Sequence, residues 1–131
     1  LRGDIDFNAA RFHITGGDIE LADALTDALT RRGAGVTDSA KNATVITLQS
    51  RFHRATLTTD ARGRANAHEI RYEVEFSIAD GEQPTTHTIT VTRVLNYDSS
   101  RQLQSELETQ FLESAMRADA AARIMQVLSR R

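Results

Sequence analysis

ANAHEIRYEVEFSI, residues 65 to 78, sets Ile70, Tyr72, Val74, Phe76 and Ile78 on even positions and Glu69, Arg71, Glu73, Glu75 and Ser77 on odd ones. A period of two is that of a strand with one face buried. One side of a sheet therefore needs a cover, and the flanking sequence shows what supplies it.

Immediately downstream, Ala79 to Pro84 (ADGEQP) is a turn, with Asp80-Gly81 its tightest signal. Thr85 to Tyr97 then alternates through Ile89 and Val91, but the next residue of that parity is Arg93. A guanidinium facing an apolar layer has to be paired or reach the rim. The simplest reading is that the strand emerges there or that a bulge switches its faces. Upstream, Ala43 to Thr59 is rich in Thr, Val, Ile and Leu, with Ile46, Leu48 and Phe52 on one face. Asp60-Ala61-Arg62-Gly63 ends it in a turn, so this strand and the 65–78 strand form an antiparallel hairpin.

Two helices are available as the cover. Asp18 is a good N-cap for IELADALTDALTRR, where Leu21, Ala22, Leu25, Ala28 and Leu29 recur at helical spacing. Its acids lie early, Arg31 and Arg32 lie last, and Gly33 sits where a left-handed C-terminal cap belongs. The second helix starts at Asp98, Ser99 or Ser100 and runs to about Ser129, with Leu103, Leu107, Phe111, Ala115, Ala122, Met125 and Leu128 as its expected core stripe. At 1.5 Å per residue it is on the order of 45 Å long, enough to cross a whole sheet.

The rest is short. Leu1 to Ala10 has no sustained period and is a lead-in; Arg11 to Thr15 (RFHIT) is a short strand ended by Gly16-Gly17; Val36 to Lys41 is a polar connection. The order β-α-β-β-β-α predicts one α+β domain over residues 1–131, a two-layer sandwich with both helices on one face of a mixed four-stranded sheet. The first strand and the one after the helix are parallel, adjacent or separated by another strand, with a right-handed crossover. The opposite face is left to water or a partner.

With 131 residues, 40% hydrophobic, the chain can bury a single core. Its formal charge of -2 argues against general attraction to nucleic acid, so an anion site has to be local. Fifteen Arg stand against one Lys, a choice that suits bidentate phosphate or carboxylate binding or reflects a compositional bias of the source genome. Between Arg51 and Arg71, five Arg face only Asp60 and Glu69. Stacking aromatics are nearly missing there, which favours phosphate on another carrier over nucleobases.

Catalytic and metal patterns are weak. His13, His53, His68 and His87 are scattered singly and read as strand-surface residues; Glu73 and Glu75 are a solvated strand face rather than an acid/base pair. There is no nucleophile elbow, phosphate-binding glycine loop or dinucleotide fingerprint, and Cys is lacking. Neither an enzyme nor a cofactor is indicated.

One family unites these pieces. Leu1-Arg2-Gly3, the helix ending in Arg31-Arg32-Gly33-Ala34-Gly35-Val36, Gly63-Arg64 leading into Ala67-His68-Glu69-Ile70 and Tyr72-Glu73-Val74, the strand end from Arg93 to Tyr97-Asp98, and a final helix with Glu108, Met116, Arg117, Ala121, Ala122, Ile124 and Leu128 together resemble the LPS-assembly lipoprotein family LptE. The resemblance implies two helices against one face of a four-stranded sheet, in accord with the independent reading. It implies an outer-membrane lipoprotein on the periplasmic side, acylated on a Cys upstream of Leu1. Its implied partner is the β-barrel LptD, whose lumen the family member plugs, the pair delivering lipopolysaccharide to the outer leaflet. It further implies lipopolysaccharide binding by basic residues, which map onto Arg62 or Arg64 in the turn, Arg93 at the strand end and Arg101 at the start of the last helix; further into that helix Ser105 and Glu106 depart from the pattern. The competing expectation is a free-standing periplasmic ligand-binding or adaptor domain on the same sandwich.

Overall fold

The computed structural model describes residues 6–130, so the first five residues of the lead-in, with the Leu1-Arg2-Gly3 match, lie outside the described residues. The elements are β1 (Arg11–Gly16), α1 (Ile19–Arg31), β2 (Gly35–Val36), β3 (Thr44–Thr59), β4 (Ala65–Ala79), β5 (Thr85–Asn96) and α2 (Gln102–Ser129), the last preceded by a 3-10 turn at Ser99–Arg101. They build one sheet in the order β2-β1-β3-β4-β5. β1 runs parallel to β2 and directly beside β3, also parallel; β3, β4 and β5 form an antiparallel meander.

The expected α+β architecture is therefore present, with five strands instead of four. Gly35–Val36, at the start of the expected connection, pairs with Arg11 and Phe12. A strand of two residues has no period by which a sequence could reveal it.

Alternation along β4 sets the core. Register places Ile46 opposite Ile78, Leu48 opposite Phe76 and Phe52 opposite Tyr72, while Val74 meets Ile89 and Tyr72 meets Val91 on the other side. This face is closed by Leu21, Leu25 and Leu29 of α1 and by Met116, Ile124 and Leu128 of α2, all fully buried. At the end of β1, Gly16 has φ +81 and lies so close to the Leu48 carbonyl that a Cβ would collide with it, so only glycine lets the chain turn up over the sheet here.

Three expectations need correction. β4 and β5 pair without a register shift, so no bulge or exit occurs at Arg93. Its guanidinium instead meets Asp119 of α2 at 2.8 Å, a partner that strand parity cannot reveal. His68 and His87 lie on the helix-covered face and are half-buried, His87 stacked on Phe76 at 5.2 Å. In α2 only Met125 and Leu128 of the expected stripe are buried. Leu103, Leu107 and Phe111 are exposed, as are Ala115 and Ala122, and the buried face is instead Ser105, Met116, Ala120, Ala121, Ile124, Met125 and Leu128. α1 has 13 residues and α2 has 28, about 20 Å against about 42 Å. α1 starts beside Ser114 and Arg117, so it shields the C-terminal half of α2 alone.

Asp18 ties the layers together. One carboxylate oxygen accepts the Leu21 N–H (2.6 Å) and Arg117 Nε (3.1 Å); the other accepts the Tyr72 hydroxyl (2.7 Å) and Ser50 Oγ (3.2 Å). Arg117 also reaches Glu20 and covers the Phe52 ring, which stacks on Tyr72 at 4.1 Å. Burial disfavours the Asp18 charge, but the hydrogen bonds from Tyr72, Leu21 and Arg117 and the Arg117 charge outweigh it, so the carboxyl titrates below its ordinary range.

Tyr72→Phe, which deletes one donor to a charged acceptor, should cost about 1.5–3 kcal/mol in urea unfolding. Asp18→Ala should cost more, because it also removes the α1 cap and strands Arg117. A carboxyl with a depressed folded pKa stabilises the fold above its unfolded value, near 3.9 for Asp, and that contribution is lost as pH falls through the folded pKa. The stability gap between wild type and Asp18→Ala should therefore narrow in acid. A gap unchanged down to the acid transition contradicts this role.

Candidate functional site

The β3–β4 hairpin extends beyond α1. β1 ends opposite Leu48, and α1 turns back from that level. β3 continues to Thr59, and residues 54 to 59 are exposed. The hairpin closes through a turn at residues 60–64 built on Asp60. Its backbone bonds with Arg64 and Gly63, while its carboxylate accepts the N–H groups of Arg62 and Arg64, each at 2.9 Å. Led by the Arg64 N–H, these bonds hold the Asp60 carboxyl below its ordinary pKa. Arg64 leans on Asp60 with Nε 3.4 Å away, and Arg62 is exposed.

The start of α2 comes to the same end of the molecule. Tyr97 donates its N–H to the Asn66 carbonyl at 3.0 Å, which pins the segment leaving β5 against the base of the hairpin turn. Asp98 then caps the 3-10 turn, accepting from Ser100 through its N–H and its Oγ at 2.9 and 2.6 Å. The Ser100 bonds lower the Asp98 pKa, and the charges of Arg101 and Arg64 lower it further. The Asp98 carboxylate lies within range of the charges of both Arg64 and Arg101. Three of the four arginines picked out in the sequence, Arg62, Arg64 and Arg101, thus converge on one end, although 37 residues separate Arg64 from Arg101 in the chain (101 minus 64).

Arg93 stands apart. It lies opposite Ile70, five residues into β4, on the order of 17 Å from the turn. Its guanidinium is already bound to Asp119 and to the Thr92 carbonyl, both at 2.8 Å.

Apolar groups that the sequence placed in the core lie on this same half. Leu103 is 73% exposed, Leu107 49% and Phe111 79%, with Val94 on β5 at 59%. Val94, Leu95, Phe111, Leu112 and Ala115 line a shallow groove between β5 and α2, continuous with a second hollow holding Tyr97, Asp98 and Arg101. The length difference between the two helical segments was the available signal: half of a long apolar stripe had no helix to lie beside.

The uncovered face of the sheet is polar. His53 meets Glu73 at 2.9 Å and Arg71 meets it at 3.4 Å, so Glu73 titrates low, chiefly through His53. A depression of about 420 Å³ lined by Gln49, Arg51, Glu73, Glu75 and Thr88 lies beside them. Among the described residues no group of three His or acidic side chains is arranged to hold a metal ion.

Two helices on one face of a mixed sheet define a fold that is found in several bacterial lipoproteins. It resembles the rare lipoprotein B from Shewanella oneidensis (TM-score 0.78, 24% identity, 90% of this chain and 92% of that one). It is also similar to lipoprotein B from Nitrosomonas europaea (0.77, 20% identity, 92% and 82%) and to a minor lipoprotein from Acinetobacter baumannii (0.75, 20% identity, 91% and 90%). These likenesses establish the fold. The sequence profile of the LptE lipopolysaccharide-assembly family matches residues 5–128, and the chain belongs to that family. No individual curated protein sequence matches it.

Exposure of the first half of α2 has a direct mechanical consequence. Leu103→Ser and Phe111→Ser should each change the unfolding free energy by no more than about 0.5 kcal/mol. Met116→Ala, in the buried half, should cost about 2–5 kcal/mol. Comparable losses at all three positions would mean that the outer half of α2 is packed.

Proposed function

We propose that this chain is a non-enzymatic lipopolysaccharide-assembly component that plugs the LptD β-barrel and binds lipopolysaccharide through Arg62, Arg64 and Arg101. The convergence of these arginines on one exposed end carries the reading. Guanidinium groups pair with phosphate through two parallel hydrogen bonds, and those on lipid A are suitable partners. Because the arginines come from a tight turn and a capped helix start, their backbones are fixed before any ligand arrives, which limits the ordering cost of binding. Arg93, engaged by Asp119, is left outside the proposed site.

Family membership supports the assembly role, and the polar open face around Glu69, Arg71, Glu73 and Glu75 suits contact with a water-lined barrel lumen better than with lipid. The lipoprotein character of the structural neighbours supports an N-terminal lipid anchor upstream of Leu1 and a periplasmic-side position on the outer membrane.

The triple variant Arg62→Glu, Arg64→Glu, Arg101→Glu should bind lipopolysaccharide at least about tenfold more weakly, with unchanged circular dichroism and continued co-purification with the barrel. Raised salt should weaken wild-type binding in the same direction. Unaltered affinity in the triple variant rejects the site. Full-length protein recovered from outer membranes without any barrel partner favours the free-standing adaptor instead.

A further inference from the structure

β5 is the last strand of the sheet, and among the described residues its outer edge meets no other strand. Which backbone groups it presents follows from the pairing. Tyr97 donates to Asn66, so the Asn66/Tyr97 pair is hydrogen-bonded, and antiparallel ladders alternate. The odd residues from Thr85 to Leu95 therefore bond to β4, as in Tyr72/Val91 and Ile70/Arg93. The even residues, Thr86, Thr88, Thr90, Thr92, Val94 and Asn96, turn their N–H and C=O groups outward.

An edge of 12 residues, rich in β-branched side chains, is a strong template for another strand. The common safeguards are not built into it: its register with β4 is unbroken, its sequence TTHTITVTRVLN contains no Pro or Lys, and it is not short. The opposite edge of the sheet, β2, is protected by being two residues long.

One device does sit on the β5 edge. Asp119, on α2, binds Arg93 at 2.8 Å and Arg123 at 3.1 Å. From that anchor Arg123 donates to the Thr90 carbonyl at 3.0 Å, and Arg93 donates to the Thr92 carbonyl at 2.8 Å. Two neighbouring outward carbonyls are thus capped by guanidinium groups that one carboxylate holds in place.

We propose that the outer edge of β5 is a self-pairing surface for a second copy of this chain, kept closed by the Arg93–Asp119–Arg123 clamp. The choice of occupant comes from the register. A two-fold axis at Val91 overlaps all six outward residues of one copy with all six of the other, pairing Thr90 with Thr92, Thr88 with Val94 and Thr86 with Asn96. These are mostly β-branched cross-strand pairs, of the kind that stabilise antiparallel sheets. The two capped carbonyls, Thr90 and Thr92, lie at the centre of that overlap. Closing it would also bring two copies of Arg93 and Arg123 to one axis, where like charges repel. The clamp therefore blocks both the hydrogen bonds and the approach, and it gives Arg93 a role separate from ligand binding.

Sedimentation velocity over about a hundredfold range of concentration tests this. Wild type should remain monomeric, while Arg93→Ala/Arg123→Ala should form a concentration-dependent dimer. Adding Thr88→Pro, which removes an outward N–H without touching the β4 ladder, should return that variant to monomer. Arg93→Met/Arg123→Met, which keeps most of both stems while removing the donors and the charges, is read in the same way if the double Ala variant does not fold. The proposal is overturned if the clamp variant that folds stays monomeric, if its dimer survives Thr88→Pro, or if wild type dimerises to the same extent.

Discussion

The carboxylate of Asp18 receives the Leu21 amide, the Tyr72 hydroxyl, Ser50 Oγ and Arg117 Nε, and in doing so joins α1, β4, β3 and α2 at one point. It stands at the place where the chain leaves the sheet after Gly16 and begins to cover it. Because the cap fixes α1 at the level of Ser50, and because Arg117 lies well inside α2, this contact decides which parts of the two helices lie side by side. A salt bridge with 16% side-chain exposure on the Arg and 31% on the Asp adds less through charge alone than a fully dry one would, but removing either partner leaves several polar groups without a mate.

From that constraint the division of the molecule follows. One half is closed, with α1 and the C-terminal part of α2 packed over the sheet from β1 across to β5. In the other half the hairpin and the start of α2 project without a second helix beside them. Binding sites on proteins tend to be held by rigid elements while remaining open to solvent, and this end has both properties. Its arginines are set by an Asp60 turn and an Asp98 cap, and its apolar groups, Leu103, Leu107 and Phe111, have no covering layer.

Much of this was legible in the residue pattern. Alternation along β4 assigned its buried face correctly from Ile70 to Ile78, since one face of a strand repeats every second residue whatever surrounds it. Asp18 and Gly33 marked the ends of α1, and Gly33 does adopt a left-handed φ of +92. What the pattern missed depends on contacts distant in sequence. Arg93 keeps its inward parity only because Asp119 meets it, and Arg117 is a half-buried anchor only because Asp18 comes to it. Leu103, Leu107 and Phe111 have helical spacing whether or not a partner lies against them. The grouping of Arg64 with Arg101 likewise needed the Tyr97 to Asn66 hydrogen bond, which no local signal announces.

The most direct measurement of the central claim is an NMR titration of the isotope-labelled chain with lipopolysaccharide in detergent, following every backbone amide. The account predicts that the earliest and largest shifts fall at residues 60–66 and 96–104, the two segments that carry Arg62, Arg64 and Arg101. Shifts centred instead on the open sheet face around Arg51, Arg71 and Glu73, or spread evenly over the fold, would contradict it.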